Sequence, residues 1–431
     1  MPVTVPVVPV LDAGVSLRER FVRDAPTSCA PPKADPQAPI NGRALLVSSM
    51  LAALSVGAVW ALYGAKFGAL LAVGLALGFA LFHSRFGFTS GWRQLVTVGN
   101  GEGLRAQFVL LGTAASAVSL VIITGWTAFG PIARPVPAPV GFGLVLGAAL
   151  FGAGMQLAGS CASGTLFAVG SGQSTIVLAL GGFMAGGVFY TWAYPVFAKL
   201  PTTRGLLLAD HVGWIGSWAV TLAALAVLAV ITRRIQHRRL PPPTAPVPTA
   251  HGIARLYRGS WSPLVGALVL GVLAGVVFLF SGRTWGIAAA FSLWGAKLLQ
   301  LIGLHPQAWA FWQQPANAAQ INAPLLTNAM SLTNFGIMIG AAFAAAAAGA
   351  WTLHSRVAWR TALASLMGGL MMGLGARMSG GCNIGAFLSG ISVGNVSGWV
   401  WGCAALLGTV AGVKLRPVFG LLNPKSTDGI C

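Results

Sequence analysis

The sequence predicts an all-α polytopic membrane protein: two internally repeated halves with short re-entrant or broken helices around a central path. Three observations predict it. Hydrophobic residues make up 56% and charged residues 8% of 431 positions, with a mean hydropathy of +0.78, well beyond what a water-soluble core requires. Several apolar runs reach or approach the ~20 residues a helix needs to cross the hydrocarbon layer. Finally, a glycine-dense run holding a lone cysteine, Gly152 to Gly164 around Cys161, returns as Gly373 to Gly385 around Cys382. Four glycines and the cysteine keep register without a gap, each recurring 221 positions on, which is the mark of a duplicated unit.

In chain order, residues 1–42 are polar and interrupted by prolines, and read as a cytoplasmic tail in which Cys29 is a bystander. The first transmembrane repeat spans 43–232. Ala44–Tyr63 and Phe67–Phe82 form an antiparallel pair across Gly64-Ala65-Lys66. The stretch from His83 to Gln94 is too polar for lipid contact, and fits either a short buried or re-entrant helix or an extramembrane loop. Phe108–Trp126 crosses, a proline connector follows, and a span from Val140 runs into the first cysteine motif. Each interior glycine there costs a helix about 1 kcal/mol relative to alanine, so the chain is expected to break near Cys161. Ile176–Val196 and His211–Ile231 complete the half.

The cluster Arg233, Arg234, Arg238 and Arg239 opens a basic, proline-rich linker over 233–260 and sets it in the cytoplasm. The second repeat, 261–420, carries spans at Leu264–Phe280, 330–351, 358–375 and Val396–Val413, with an apolar run interrupted by Lys297 and a polar stretch from Trp312 to Asn322. Residues 421–431 form a carboxyl-terminal tail. With both termini and the linker in the cytoplasm each half crosses an even number of times, which predicts parallel repeats. One crossing more or fewer would invert them.

A formal charge of +19 would suggest nucleic acid in a soluble protein. Here the basic residues sit at segment ends, where membrane topology accounts for them and no nucleic-acid partner is implied. Only 7 acidic residues are available to hold a cation, so an anion is the easier cargo. The five cysteines show no CxxC spacing and no histidine partners, which argues against a zinc site or a disulfide framework. Cys403 has Gly182 as its counterpart and reads as packing, and the terminal Cys431 as idle.

Glycine lets a helix stop and present backbone N–H groups toward a cavity, and a helix N-terminus adds about half a positive charge. A thiol adds a soft, polarizable contact. The candidate path residues are therefore Cys161 with Gly159 and Ser160, and Cys382 with Gly380, Gly381 and Asn383. Gln156 and Arg377 hold equivalent positions five residues before each cysteine, and Arg377 is the candidate for drawing in an anion. Small-residue helix packing is the structural alternative for the glycines. A membrane sulfurtransferase or thiol oxidoreductase using Cys161 or Cys382 as nucleophile is the enzymatic alternative, although no histidine lies in either motif. No Walker-type phosphate loop appears.

Gly-Ser-Cys-Ala-Ser-Gly at 159–164 and Gly-Gly-Cys-Asn-Ile-Gly at 380–385, with Arg-Phe-Gly-Phe from Arg85 and Gly-Arg-Thr-Trp-Gly around Arg283, resemble the YeeE/YedE family of bacterial inner-membrane proteins. The resemblance covers roughly residues 44–420. It implies uptake of thiosulfate or a related sulfur anion, no cofactor, and a TusA-like sulfur carrier as intracellular recipient. It also implies a relay of three thiols, two of which match Cys161 and Cys382; at the third this chain offers Thr89 and Ser90.

Overall fold

A computed structural model describes residues 40–239, 241, 252–258, 260–353 and 357–424. Cys29 and most of the amino-terminal tail, the proline-rich part of the linker, and Lys425 to Cys431 lie outside the described residues. Helix α1 (Gly42–Tyr63) starts where the Asn41 side chain accepts from the Ala44 amide at 3.1 Å, and it stops at Gly64. Helix α2 (Ala65–Ser84) ends at Arg85, whose φ of 48° is left-handed and halts the helical ladder.

The polar stretch that follows is a helix, α3 (Phe88–Val98), with Phe88, Thr89 and Trp92 buried. Trp92 donates to Gln107 at 2.6 Å, and Gln107 donates to the Gly87 carbonyl at 3.1 Å, so the polarity of this segment is consumed inside the protein and the loop alternative does not hold. Helix α4 (Glu102–Thr124) supplies Gln107.

The first motif divides α5 (Phe142–Ala158) from α6 (Ala162–Gly170), and α7 (Ser174–Trp192) and α8 (Ala209–Arg239) follow, the last kinked at Gly213. Two short strands, β1 (Val140–Gly141) and β2 (Thr202–Thr203), pair antiparallel beside the start of α5. After the linker come α9 (Pro263–Ser281), α10 (Ala288–Leu301), the short α11 (Pro315–Asn322), α12 (Ala329–Ala347), α13 (Trp359–Met378) and α14 (Val396–Leu415). Between α13 and α14 the second motif leads into a turn of π-helix, Asn383–Leu388.

Among the described residues nine helical segments are long and apolar enough to cross a membrane. Helix α13 is not one of them, yet it packs extensively on both α5 and α7. Interior glycines permit this packing. Gly147 meets the Gly375 carbonyl, with 2.7 Å from a hypothetical Cβ, and Gly154 meets the Gly368 carbonyl at the same distance. Rising numbers on α5 meet falling numbers on α13, so these two helices run antiparallel. Helix α14 runs parallel to α5, with Gly408 against Ala149 and Gly412 against Ala153, while α7 runs parallel to α13, with Gly182 against Leu366 and Gly186 against Leu370.

The parallel arrangement expected from an even crossing count is therefore not what forms. The reason lies between α9 and α12. Gly282 sits against Pro131, and Gln314 donates to the Tyr194 hydroxyl at 2.6 Å, which keeps both ends of this region at the end of the bundle where α7 finishes. The region leaves and returns on one side without a full crossing, and everything after it runs the opposite way.

Candidate functional site

Each cysteine is the N-cap of a short buried helix: Cys161 heads α6 and Cys382 heads the π-turn. Gly159 (φ 75°) and Gly380 (φ 78°) take the left-handed conformation that ends the preceding helix and turns the chain inward. Cys161 is 1% exposed and Cys382 0%; they belong to one apolar core, and α6 touches the π-turn. Both thiols are free.

The Cys382 sulfur faces the backbone amides of Ile384, Gly385 and Ala288, with Cys161 within electrostatic reach. Ala288 is the first residue of α10, so two N-terminal turns, from different parts of the chain, converge on one sulfur. The positive ends of their peptide dipoles favour negative charge there. At the other cysteine, the Ser163 hydroxyl lies 3.5 Å from the Cys161 sulfur, and Ser160 pairs with Thr165 at 2.9 Å.

Asn383 is fully buried; its amide nitrogen lies 3.9 Å from the Met155 sulfur, and its carbonyl oxygen has no hydrogen-bond partner. The Met155 thioether is a third sulfur in this region that sequence reasoning missed, since a methionine inside an apolar helix carries no distinguishing signal. Gln156 donates to the Thr89 carbonyl at 3.2 Å, and the Gln156 Oε1 and Thr89 Oγ1 oxygens are buried without a partner. Thr89 thus lies beside the first motif, on α3.

Arg377 ends α13 and opens into a cavity of about 470 Å3, lined also by Tyr190, Tyr194, Thr284, Ser379 and Gly385. Its guanidinium sits 4.6 Å above the Phe311 ring, and its Nε has no hydrogen-bond partner. The cavity floor reaches Gly380 and Gly385 of the second motif. Gly381 is packed against Ala386.

Other candidates fall away from this centre. Arg283 is exposed and is not among the cavity residues. Arg85 is the left-handed residue ending α2, half-buried and engaged with neighbours. Cys403 is exposed on α14, so it is not the buried packing residue its lack of a counterpart suggested.

Buried thiols at paired helix breaks, beside a cavity lined by Arg377, lie inside the helical bundle of a multi-pass membrane protein. Residues 83–411 match the sulphur transport family, and the chain belongs to it. Among similar proteins, the thiosulfate transporter TsuA of Escherichia coli strain K12 is 28% identical over 339 residues, covering 77% of this chain and 89% of that protein. The thiosulfate transporter TsuA of Spirochaeta thermophila is 27% identical, covering 80% and 98%. The probable transporter YedE of Escherichia coli is 28% identical over 37% of this chain and 39% of its own.

Proposed function

We propose that the chain takes up thiosulfate or a related sulfur-containing anion across the bacterial inner membrane, along a path lined by Cys161 and Cys382. The observation that carries this reading is the pairing of the two thiols: antiparallel helices end in left-handed glycines and deliver one buried sulfur each to a shared core. A hydrated anion entering the cavity meets the Arg377 charge, then amide groups that replace water at its oxygens. The thiols offer its terminal sulfur a soft, weakly donating contact without a covalent step. The relatives named as thiosulfate transporters support the choice of substrate.

Direction follows from charge. The amino-terminal end of α4 packs against the basic end of α8, with the Gly101 amide donating to the Gln236 side-chain oxygen at 3.3 Å, whereas the connector after α4 leads to Ala138 at the cavity. The cavity lies opposite Arg233–Arg239, and if that cluster faces the cytoplasm the cavity opens outward. A TusA-like carrier would then collect the sulfur at the far mouth. We read the two halves as an inverted pair around this path.

In a host lacking its own uptake systems, growth on thiosulfate as sole sulfur source is expected to require both thiols; wild-type growth of the C161A/C382A variant contradicts the reading. In reconstituted vesicles the anion should arrive inside intact, whereas a sulfurtransferase would alter it.

A further inference from the structure

The second motif carries its cation in its own sequence, because Arg377 stands in the last turn of α13. The first motif does not. The last turn of α5 has no basic residue, and its equivalent position is the neutral Gln156. The carbonyls of that last turn point toward the break that holds Cys161, and the negative end of a helix is a poor wall for an anion path. A charge does arrive there, from 260 positions away in sequence: Arg416, 3% exposed, donates through Nη1 to the Gln156 carbonyl at 2.6 Å.

The placement is held from both sides. Helix α14 runs parallel to α5 and delivers Arg416 just past its own end, level with the end of α5. Beyond it the chain reverses at Gly420 (φ 72°), and the Leu422 carbonyl accepts from Arg416 Nη2 at 2.8 Å. Asn423 then donates to the Val413 carbonyl at 2.9 Å and fastens the returning segment to α14. Helix α5 starts at the cavity, where Gly143 and Leu144 line the wall, so Arg416 stands at the opposite end of α5.

We propose that Arg416 is a positioning residue of the path: it neutralises the carboxyl end of α5 and gives the far mouth the positive field that Arg377 gives the cavity. The two motifs differ in formal charge at one equivalent position, Gln156 against Arg377, and are thereby matched in charge by a residue from outside the motif. The inference rests on the anion-transport reading above.

The test measures half-saturation from each side, with labelled thiosulfate in right-side-out and everted membrane vesicles. R416Q should raise half-saturation from the cytoplasmic face about tenfold, as expected for one lost charge-assisted contact at a helix end, and leave the outer face unchanged; R377Q should do the converse. A residue that served the fold alone would reduce the number of active molecules and move neither half-saturation value. R416K keeps the charge but gives up one of the two carbonyl bonds, so it should melt at lower temperature while its cytoplasmic half-saturation stays within about twofold of wild type. A cytoplasmic half-saturation in R416Q unchanged from wild type, or raised equally at both faces, overturns the proposal, as does an R416K value that rises with its loss of stability. If R416Q does not reach the membrane, R416K decides alone. Failure of wild-type vesicles to accumulate thiosulfate would instead refute the transport reading.

Discussion

Neutralising the vestibule cation, R377Q, should weaken capture of the anion from outside without abolishing transport. The guanidinium lies over Phe311 at 4.6 Å and opens into a cavity of about 470 Å3, so its field acts through partly wetted space. A divalent anion roughly 8 Å from a unit charge gains about 1 kcal/mol at a dielectric near 80 and about 2 kcal/mol near 40. The corresponding rise in half-saturating thiosulfate is about 5- to 30-fold. Initial-rate uptake of labelled thiosulfate into right-side-out vesicles measures it directly. Raising the ionic strength should shrink the gap between wild type and R377Q, because an anion crossing aqueous space is screened over ~10 Å at 0.1 M salt. R377K should fall between the two, since a lysine keeps the charge but not the flat face that stacks on Phe311. An R377Q variant with wild-type half-saturation at low salt would refute the vestibule's role as an electrostatic funnel.

Further outcomes follow from the packing and the break residues. G375A places a methyl group 2.5 Å from the Gly147 carbonyl and 2.8 Å from the Phe151 amide, and should lower stability by about 1–3 kcal/mol, seen as a lower melting temperature of the detergent-solubilised protein. T89C exchanges a buried hydroxyl without a hydrogen-bond partner for a soft sulfur beside Gln156; it should shift the ratio of thiosulfate to sulfate uptake, and an unchanged ratio would place the third contact elsewhere. C403A, on the exposed side of α14, should leave uptake and melting temperature at wild-type values.

Much of this arrangement was legible in the sequence, for reasons that can be named. Apolar run length fixes the helices because a bilayer leaves the backbone no other way to satisfy itself, and α1, α2, α4, α7, α8 and α9 fall on the expected runs. The break after α5 was visible because Gly159 and Gly380 recur at the same step before a cysteine. What the glycines do was only half visible. Gly154 and Gly375 let helices touch, as the packing alternative holds, while Gly159 and Gly380 end them.

The antiparallel crossing of α5 and α13 was not legible, because it turns on whether Gly282 to Asn328 completes a passage. That depends on tertiary contacts such as Gln314 with Tyr194. Arg416 escaped notice for a similar reason: at the end of an apolar helix it reads as an ordinary inside-facing charge, and only the parallel packing of α14 on α5 brings it to the Gln156 carbonyl. Arg283 erred the other way, since a motif position said nothing of its exposure.

The most direct test of the central claim is uptake of labelled thiosulfate into vesicles reconstituted with wild type, C161A, C382A and the double variant, each shown to be folded by its melting temperature. Two buried sulfurs at paired helix breaks predict that either single substitution sharply lowers uptake and that the double variant accumulates no more than empty vesicles. Folded C161A/C382A protein transporting at the wild-type rate would contradict the account.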